Sequence, residues 1–205
     1  MTNKGLLRVG VFYDGSYFTY AQLHYNTIQE NGWIVFEPLH ELIEQIISEK
    51  EQGFNSYKVV YSCWFQGLKH TKQTEIKHLE LERNRHIDLI DAGVELKFTH
   101  NNHEQNEKGV DVKMALDVLQ IALDDKIDIA VLITGDGDFI PLVRALMKQG
   151  KRVLLFYFDY ENNYNKSFAN KKLINACNYA INFNEIESNK AYRPYFKNLF
   201  RKNRN

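Results

Sequence analysis

Residues 129–133, Ile-Ala-Val-Leu-Ile, are an uncharged run separated by one residue from Gly135-Asp136-Gly137-Asp138-Phe139. A run this short and this rich in Ile and Val reads as a strand buried on both faces of a parallel sheet. The chain must then supply further strands beside it and helices above and below. Two carboxylates one residue apart at its C-terminal end stand where open α/β sheets bind ligands. Crowding two anions costs free energy unless a cation or a proton compensates. Asp-Gly-Asp is also ordinary turn composition, so the pair takes its meaning from the rest of the chain.

The remaining sequence meets that demand. Leu7 to Tyr13 is apolar and ends at Asp14-Gly15-Ser16, a first buried strand. The aromatic-rich stretch from Tyr17 to Gln29 is expected to be helical. A helix over Pro38 to Lys50 opens with a helix-start proline, and Leu39, Leu42, Ile43, Ile46 and Ile47 make one apolar stripe. Tyr57–Phe65 and Val94–Thr99 read as strands, with a mixed-charge helix in the later half of Gln66–Ala92. A polar loop from Asn101 to Glu107 leads into a helix from about Gly109 to Leu123, with Leu116, Leu119, Ala122 and Leu123 as its expected apolar face. After Asp138 come a helix from Pro141 to Lys148, a stop at Gly150, a strand over Arg152–Phe158, a helix around Ser167–Cys177 and a short strand at Tyr179–Phe183. This alternation predicts an α/β fold with a mainly parallel central sheet covered by helices on both faces.

Parallel strands share one C-terminal edge. Asp14 ends the first strand there, and Asp136 and Asp138 end the fourth. Asp111 lies in the first turn of the helix that runs into the fourth strand, and a helix crossing back over the sheet begins near the same edge. Four carboxylates from three segments can therefore converge. Oxygen donors of this kind suit Mg2+ or Mn2+, which keep several waters. Such an ion can turn a bound water into a nucleophile and neutralise charge on a phosphodiester. A phosphatase with Asp14 as a phosphorylated nucleophile fits poorly, because a second Asp is wanted two residues later and that position is Ser16.

Four segments occur in order: Val11-Phe12-Tyr13-Asp14-Gly15-Ser16, Lys108-Gly109-Val110-Asp111-Val112, Leu132-Ile133-Thr134-Gly135-Asp136-Gly137-Asp138-Phe139-Ile140-Pro141-Leu142 and Gly150-Lys151-Arg152-Val153. Together they resemble the NYN domain, of the LabA-like (DUF88) branch, within the PIN-like nuclease superfamily. The resemblance runs from about residue 7 to 186. It implies a PIN-like three-layer α/β/α sandwich over residues 1–186, followed by a basic aromatic C-terminal tail over 187–205. It also implies a metal-dependent endoribonuclease, with Mg2+ or Mn2+ as cofactor and Asp14, Asp111, Asp136 and Asp138 as metal-holding catalytic residues. Asp117 matches a recurrent family aspartate. Six residues along a helix from Asp111 it points about 120° away, which gives it, like Ser16, a supporting place. Where the family usually carries Asn, three residues after the first Asp, this chain has Tyr17. The other reading is a catalytically degenerate domain that binds RNA or protein.

Formal charge is zero, from 26 basic and 26 acidic residues, so no global field selects nucleic acid or a membrane. Local patches can still do so, beside the plainer reading of a solvated mixed-charge helix. Lys69, Lys72, Arg83 and Arg85 are candidate phosphate contacts along one wall of a groove. Lys108, just before the helix of Asp111, is another, and Tyr17 offers a ring beside Asp14 for base stacking, with core packing of a short aromatic helix as the favoured alternative. The implied partner is RNA, single-stranded or structured such as a tRNA. The tail interleaves Arg193, Lys197, Arg201, Lys202 and Arg204 with aromatics, which suits either base stacking or docking on the body. Cys63 and Cys177 read as buried reduced thiols. With no apolar run near the roughly 20 residues that span a bilayer, a soluble cytoplasmic protein is expected, with room for a homodimer.

Overall fold

A computed structural model describes residues 4–68, 74–100, 109–163 and 166–202. The candidate contacts Lys69, Lys72 and Lys108, and the loop 101–107, lie outside the described residues.

Six strands form one sheet in the order β4-β3-β1-β5-β6-β9. These are β1 Lys4–Asp14, β3 Phe54–Leu68, β4 Glu95–His100, β5 Ile129–Ile133, β6 Arg152–Tyr157 and β9 Tyr179–Asn182. Every neighbouring pair is parallel. Side chains alternate across the sheet, and the strand sequences exploit that period. Val9, Val11, Tyr13, Ile129, Val131, Ile133, Leu154 and Phe156 enter the core on one face. Phe12, Ala130, Leu132, Val153 and Leu155 enter the core on the other. The result is the expected α/β sandwich with its parallel sheet buried between helices.

The first face is covered by α1 Gly15–Leu23, a π-helical turn at His24–Ile28, and α2 Phe36–Lys50. On α2 the predicted stripe is the buried one: Leu39, Leu42, Ile43, Ile46 and Ile47 have no exposed surface. Each contributes on the order of 1.5–3 kcal/mol on burial. The polar α3 Ile76–Asp91 lies before β4.

The other face is covered by α4 Val110–Leu123, α5 Ile140–Lys148 and α6 Lys171–Ala176. Here the structure corrects the expected face of α4. Its buried residues are Val110, Met114, Val118 and Ala122, while Leu116 and Leu123 are more than half exposed. This helix is apolar on more than one side, and the sheet receives the row spaced by four.

The helix expected around Ser167–Cys177 is also shorter. Lys166–Ser167 is strand β8, paired antiparallel with β7 Tyr160–Glu161. Asn170 then caps α6, its side chain accepting from the Lys172 amide at 2.9 Å.

The C-terminal residues dock on the body. After α7 Asn184–Ser188 and α8 Arg193–Phe196, strand β10 Phe200–Arg201 pairs antiparallel with β2 Trp33–Ile34. Leu199 is fully buried, Phe196 and Phe200 pack against the core, and Arg201 pairs with Asp88 at 2.5 Å. The aromatics of this segment serve packing. Among the described residues no helix is long and apolar enough to cross a membrane.

Candidate active site at the C-terminal edge of the sheet

Strands β1 and β5 are central neighbours, with Tyr13 opposite Ile133. The next residues, Asp14 and Thr134, therefore leave the sheet side by side. Asp14 caps α1: its Oδ1 accepts from the Tyr17 amide at 3.1 Å. Its Oδ2 accepts from the hydroxyl of Thr134 at 3.0 Å. Thr134 is fully buried, and its oxygen also accepts from the Asp136 amide at 3.2 Å. Asp136 in turn caps the 3-10 turn Gly137–Phe139, its Oδ1 accepting from the Asp138 amide at 2.9 Å. One hydrogen-bonded chain thus orders three of the four expected aspartates.

Two glycines are required by close approach. A Cβ on Gly135 would lie 2.9 Å from the ring of Tyr17, and one on Gly137 would collide with the side-chain amide of Asn170. Tyr17 is held in turn by Phe158, just past β6. Its hydroxyl donates to the Phe158 carbonyl at 3.2 Å and accepts from the Phe158 amide at 2.8 Å. Burial pushes the Tyr17 phenol well above its ordinary pKa. The hydroxyl of Tyr17 is thereby spent on the fold, so of its two expected places, stacking on a base or packing in the core, the structure favours packing.

Asp111 occupies the first turn of α4 and is exposed. That helix packs against β1 and β3 and touches the 3-10 turn that carries Asp138. Asp136 and Asp138 are exposed as well, and Asp14 is half-buried. Among the described residues, no three His, Cys, Asp or Glu side chains gather closely enough to form a ready-made metal cage. The donor set still fits a hard cation: it is all oxygen, opens to solvent and leaves room for waters. Mg2+ commonly takes only one or two protein carboxylates and keeps the rest of its shell as water.

The supporting candidates divide. Ser16 is half-buried in the first turn of α1. Asp117 is committed elsewhere, to Lys97 at 3.0 Å and Lys113 at 3.2 Å. Partial burial pushes its carboxyl pKa up, but hydrogen bonds from these two lysines outweigh that and hold it below the ordinary value.

Arg83 is exposed on α3. Arg85 departs from the expected groove wall. Its guanidinium lies over the Trp64 ring at 5.4 Å and donates to the Thr19 hydroxyl at 2.6 Å. It belongs to a buried network in which Trp64 donates to Gln66 and Gln66 donates to Glu82. Burial lowers the Arg85 pKa.

Sequence reasoning passed over Thr134 and Asn170. A hydroxyl placed directly after an apolar strand, and an Asn two residues before a Lys-Leu-Ile stretch, were the available signals.

The family model of the NYN domain matches residues 8–187. The chain belongs to the NYN domain family. That family consists of PIN-like nucleases, hydrolytic enzymes that typically use divalent metals, so this NYN domain has a nucleic acid as its expected class of substrate. Among curated proteins it is similar to the uncharacterized protein MJ0482 of Methanocaldococcus jannaschii, 37% identical over 67 residues. The match takes in 33% of this chain and 25% of the archaeal protein. In fold it is similar to the crystal structure of VPA0982, a protein of unknown function from Vibrio parahaemolyticus. That likeness has a TM-score of 0.55 at 21% identity, covering 89% of this chain and 95% of the other.

Proposed function

We propose that this NYN domain, of the LabA-like (DUF88) branch, is a divalent-metal-dependent endoribonuclease acting at the edge formed by Asp14, Asp136 and Asp138. The carrying observation is the hydrogen-bonded chain from Asp14 through Thr134 to Asp136 and the Asp138 amide, which orients the Asp14 and Asp136 carboxylates at the ends of two adjacent central strands and fixes the backbone of Asp138 beside them. Asp111, from α4, completes the set. Mg2+ or Mn2+ bound here would supply an activated water and neutralise charge on the scissile phosphate.

The chain's own residues divide the remaining work. Thr134 aims Asp14, the Asp138 amide steadies Asp136, and Asp138 and Asp111 present exposed carboxylates to solvent. RNA, single-stranded or structured, is the proposed substrate, with Arg83 and Lys108 as phosphate contacts. Cys63 and Cys177 are free thiols whose pKa values burial pushes up to about 12. Inert thiols accord with a cytoplasmic location.

A second reading, a binding domain without catalysis, draws on the lack of a closed carboxylate cage among the described residues. One assay separates the two. Purified protein is incubated with mixed RNAs and single-stranded DNA in Mn2+, Mg2+ or EDTA, beside Asp136→Asn. The nuclease reading requires RNA cleavage with metal and none with EDTA or the variant. Cleavage that survives EDTA sinks the metal mechanism, and RNA binding without cleavage supports the binding domain.

A further inference from the structure

Of the phenylalanines among the described residues, Phe168 alone is exposed, at 58%. It lies within residues 166–172, Lys-Ser-Phe-Ala-Asn-Lys-Lys, which hold three cations and no acid. Lys166, Lys171 and Lys172 are exposed as well. Lys58, Lys97, Lys113 and Lys151 are spent on carboxylates. The three lysines around Phe168 enter no ion pair among the described residues, although Glu161 stands opposite Lys166 in the β7–β8 pair.

The segment is braced against the candidate site. Ser167 faces the Tyr17 hydroxyl, and the ring of Tyr17 packs on Gly135. The Ala169 amide donates to Asp159 at 2.9 Å, and the Asn170 amide donates to the Gly135 carbonyl at 2.9 Å. The Asn170 side chain fills the space that a Cβ on Gly137 would need, between Asp136 and Asp138. Phe168 is two residues from Asn170, which puts its Cα within about 7 Å of that residue's own. Ring, lysines and aspartates therefore share one edge of the sheet.

An apolar ring held in water on a braced backbone has surface to bury, and its surroundings select what buries it. An acidic peptide would match the lysines and leave the ring in water. A second copy of this chain, in a two-fold contact, would bring the same three cations against these. A single-stranded nucleic acid meets both demands: its bases present flat faces to the ring, and its phosphates meet the lysines.

We propose that residues 166–172 bind an unpaired nucleic-acid strand, with Phe168 stacked on a base and Lys166, Lys171 and Lys172 on the adjoining phosphates. A base inside a duplex already has both faces covered, so the ring favours the unpaired strand. Delivery of that strand to the aspartates rests on the nuclease reading, whereas binding by this segment does not.

Fluorescence anisotropy of the full chain, with a labelled single-stranded RNA of about 12 nucleotides in EDTA, reads binding without metal. Phe168→Ala is expected to weaken binding roughly ten-fold, at an unchanged salt slope and melting temperature. Phe168→Trp should restore it and Phe168→Leu should not, because an aliphatic side chain has no ring to stack. Lys166→Gln/Lys171→Gln/Lys172→Gln should lower the slope of log K against log salt by about 2, at about 0.7 for each lost phosphate contact. A duplex of the same sequence should bind Phe168→Ala as it binds the parent. No binding by the parent, a Phe168→Ala variant that binds like the parent or weakens the duplex equally, recovery in Phe168→Leu, or an unchanged slope in the lysine variant overturns the proposal. RNA cleavage in Mn2+ by a protein whose variants all bind like the parent overturns the proposal and leaves the nuclease reading standing. Ring- and lysine-dependent binding by a protein that cleaves no RNA upholds the segment and overturns the nuclease reading.

Discussion

The buried hydroxyl of Thr134 donates to Oδ2 of Asp14 at 3.0 Å and so joins the ends of two central strands at the candidate site. The same oxygen accepts from the amide of Asp136, so one side chain ties the Asp14 carboxylate to the backbone that carries Asp136.

Thr134→Val keeps the shape and removes both hydrogen bonds. Stability should fall by about 1–3 kcal/mol, because buried polar partners are left unmet. RNA cleavage should fall roughly 10- to 100-fold, as when groups that orient metal ligands are removed. Thr134→Ser should recover most of the rate. Urea unfolding and single-turnover cleavage measure the two effects, and a Val variant cleaving at the parent rate would refute the orienting role.

Tyr17→Phe keeps the ring against Gly135 and strips the Phe158 backbone of its partner. A loss of about 1–2 kcal/mol is expected by urea unfolding. Unchanged stability would mean that water replaces the hydroxyl.

Mn2+ should raise the melting temperature of the apoprotein, because a ligand that binds only the folded state stabilises it. At a hundred times its Kd the gain is about 2.7 kcal/mol. Asp136→Asn and Asp14→Asn should remove the shift. With no closed cage among the described residues, Asp111→Asn should reduce it without abolishing it. A shift that persists in all three variants would place the ion elsewhere.

His40 gives the fold a pH dependence. Its Nε2 lies 2.9 Å from the Tyr13 hydroxyl, and burial lowers its pKa from 6.5 to about 4. The unfolded chain takes up a proton near 6.5 that the folded chain refuses until about 4. Its contribution is therefore complete above pH 6.5 and is lost as pH falls toward 4, by on the order of 3 kcal/mol. Burial lowers His24 and His86 in the same direction, so a variant is needed to isolate the effect. In His40→Gln, stability measured between pH 7 and 4.5 should depend less on pH, and an unchanged slope would reject this origin.

Asp117→Asn tests whether that carboxylate belongs to the site or to its lysines. Loss of the Lys97 and Lys113 pairs should cost about 1 kcal/mol, given their partial exposure, with cleavage nearly unchanged. A large loss of cleavage at equal stability would return Asp117 to the site.

The sequence by itself determined the layer order, because strands buried on both faces must be apolar throughout and only short uncharged runs qualify. It determined α2 for the same kind of reason: one stripe of Leu and Ile, spaced by three and four, leaves a single face to bury. The candidate aspartates were legible from their places at strand ends. The face that α4 buries was not legible, since Leu116 and Val118 are equally apolar and only the shape of the sheet chooses between them. Nor was the inward turn of Arg85 on α3, which depends on Trp64 of β3, or the tie from Tyr17 to Phe158 across 141 residues. Local patterns record where a residue stands in its own element. Which partner it meets depends on how elements distant in sequence pack, and that is decided only when the sheet closes its core.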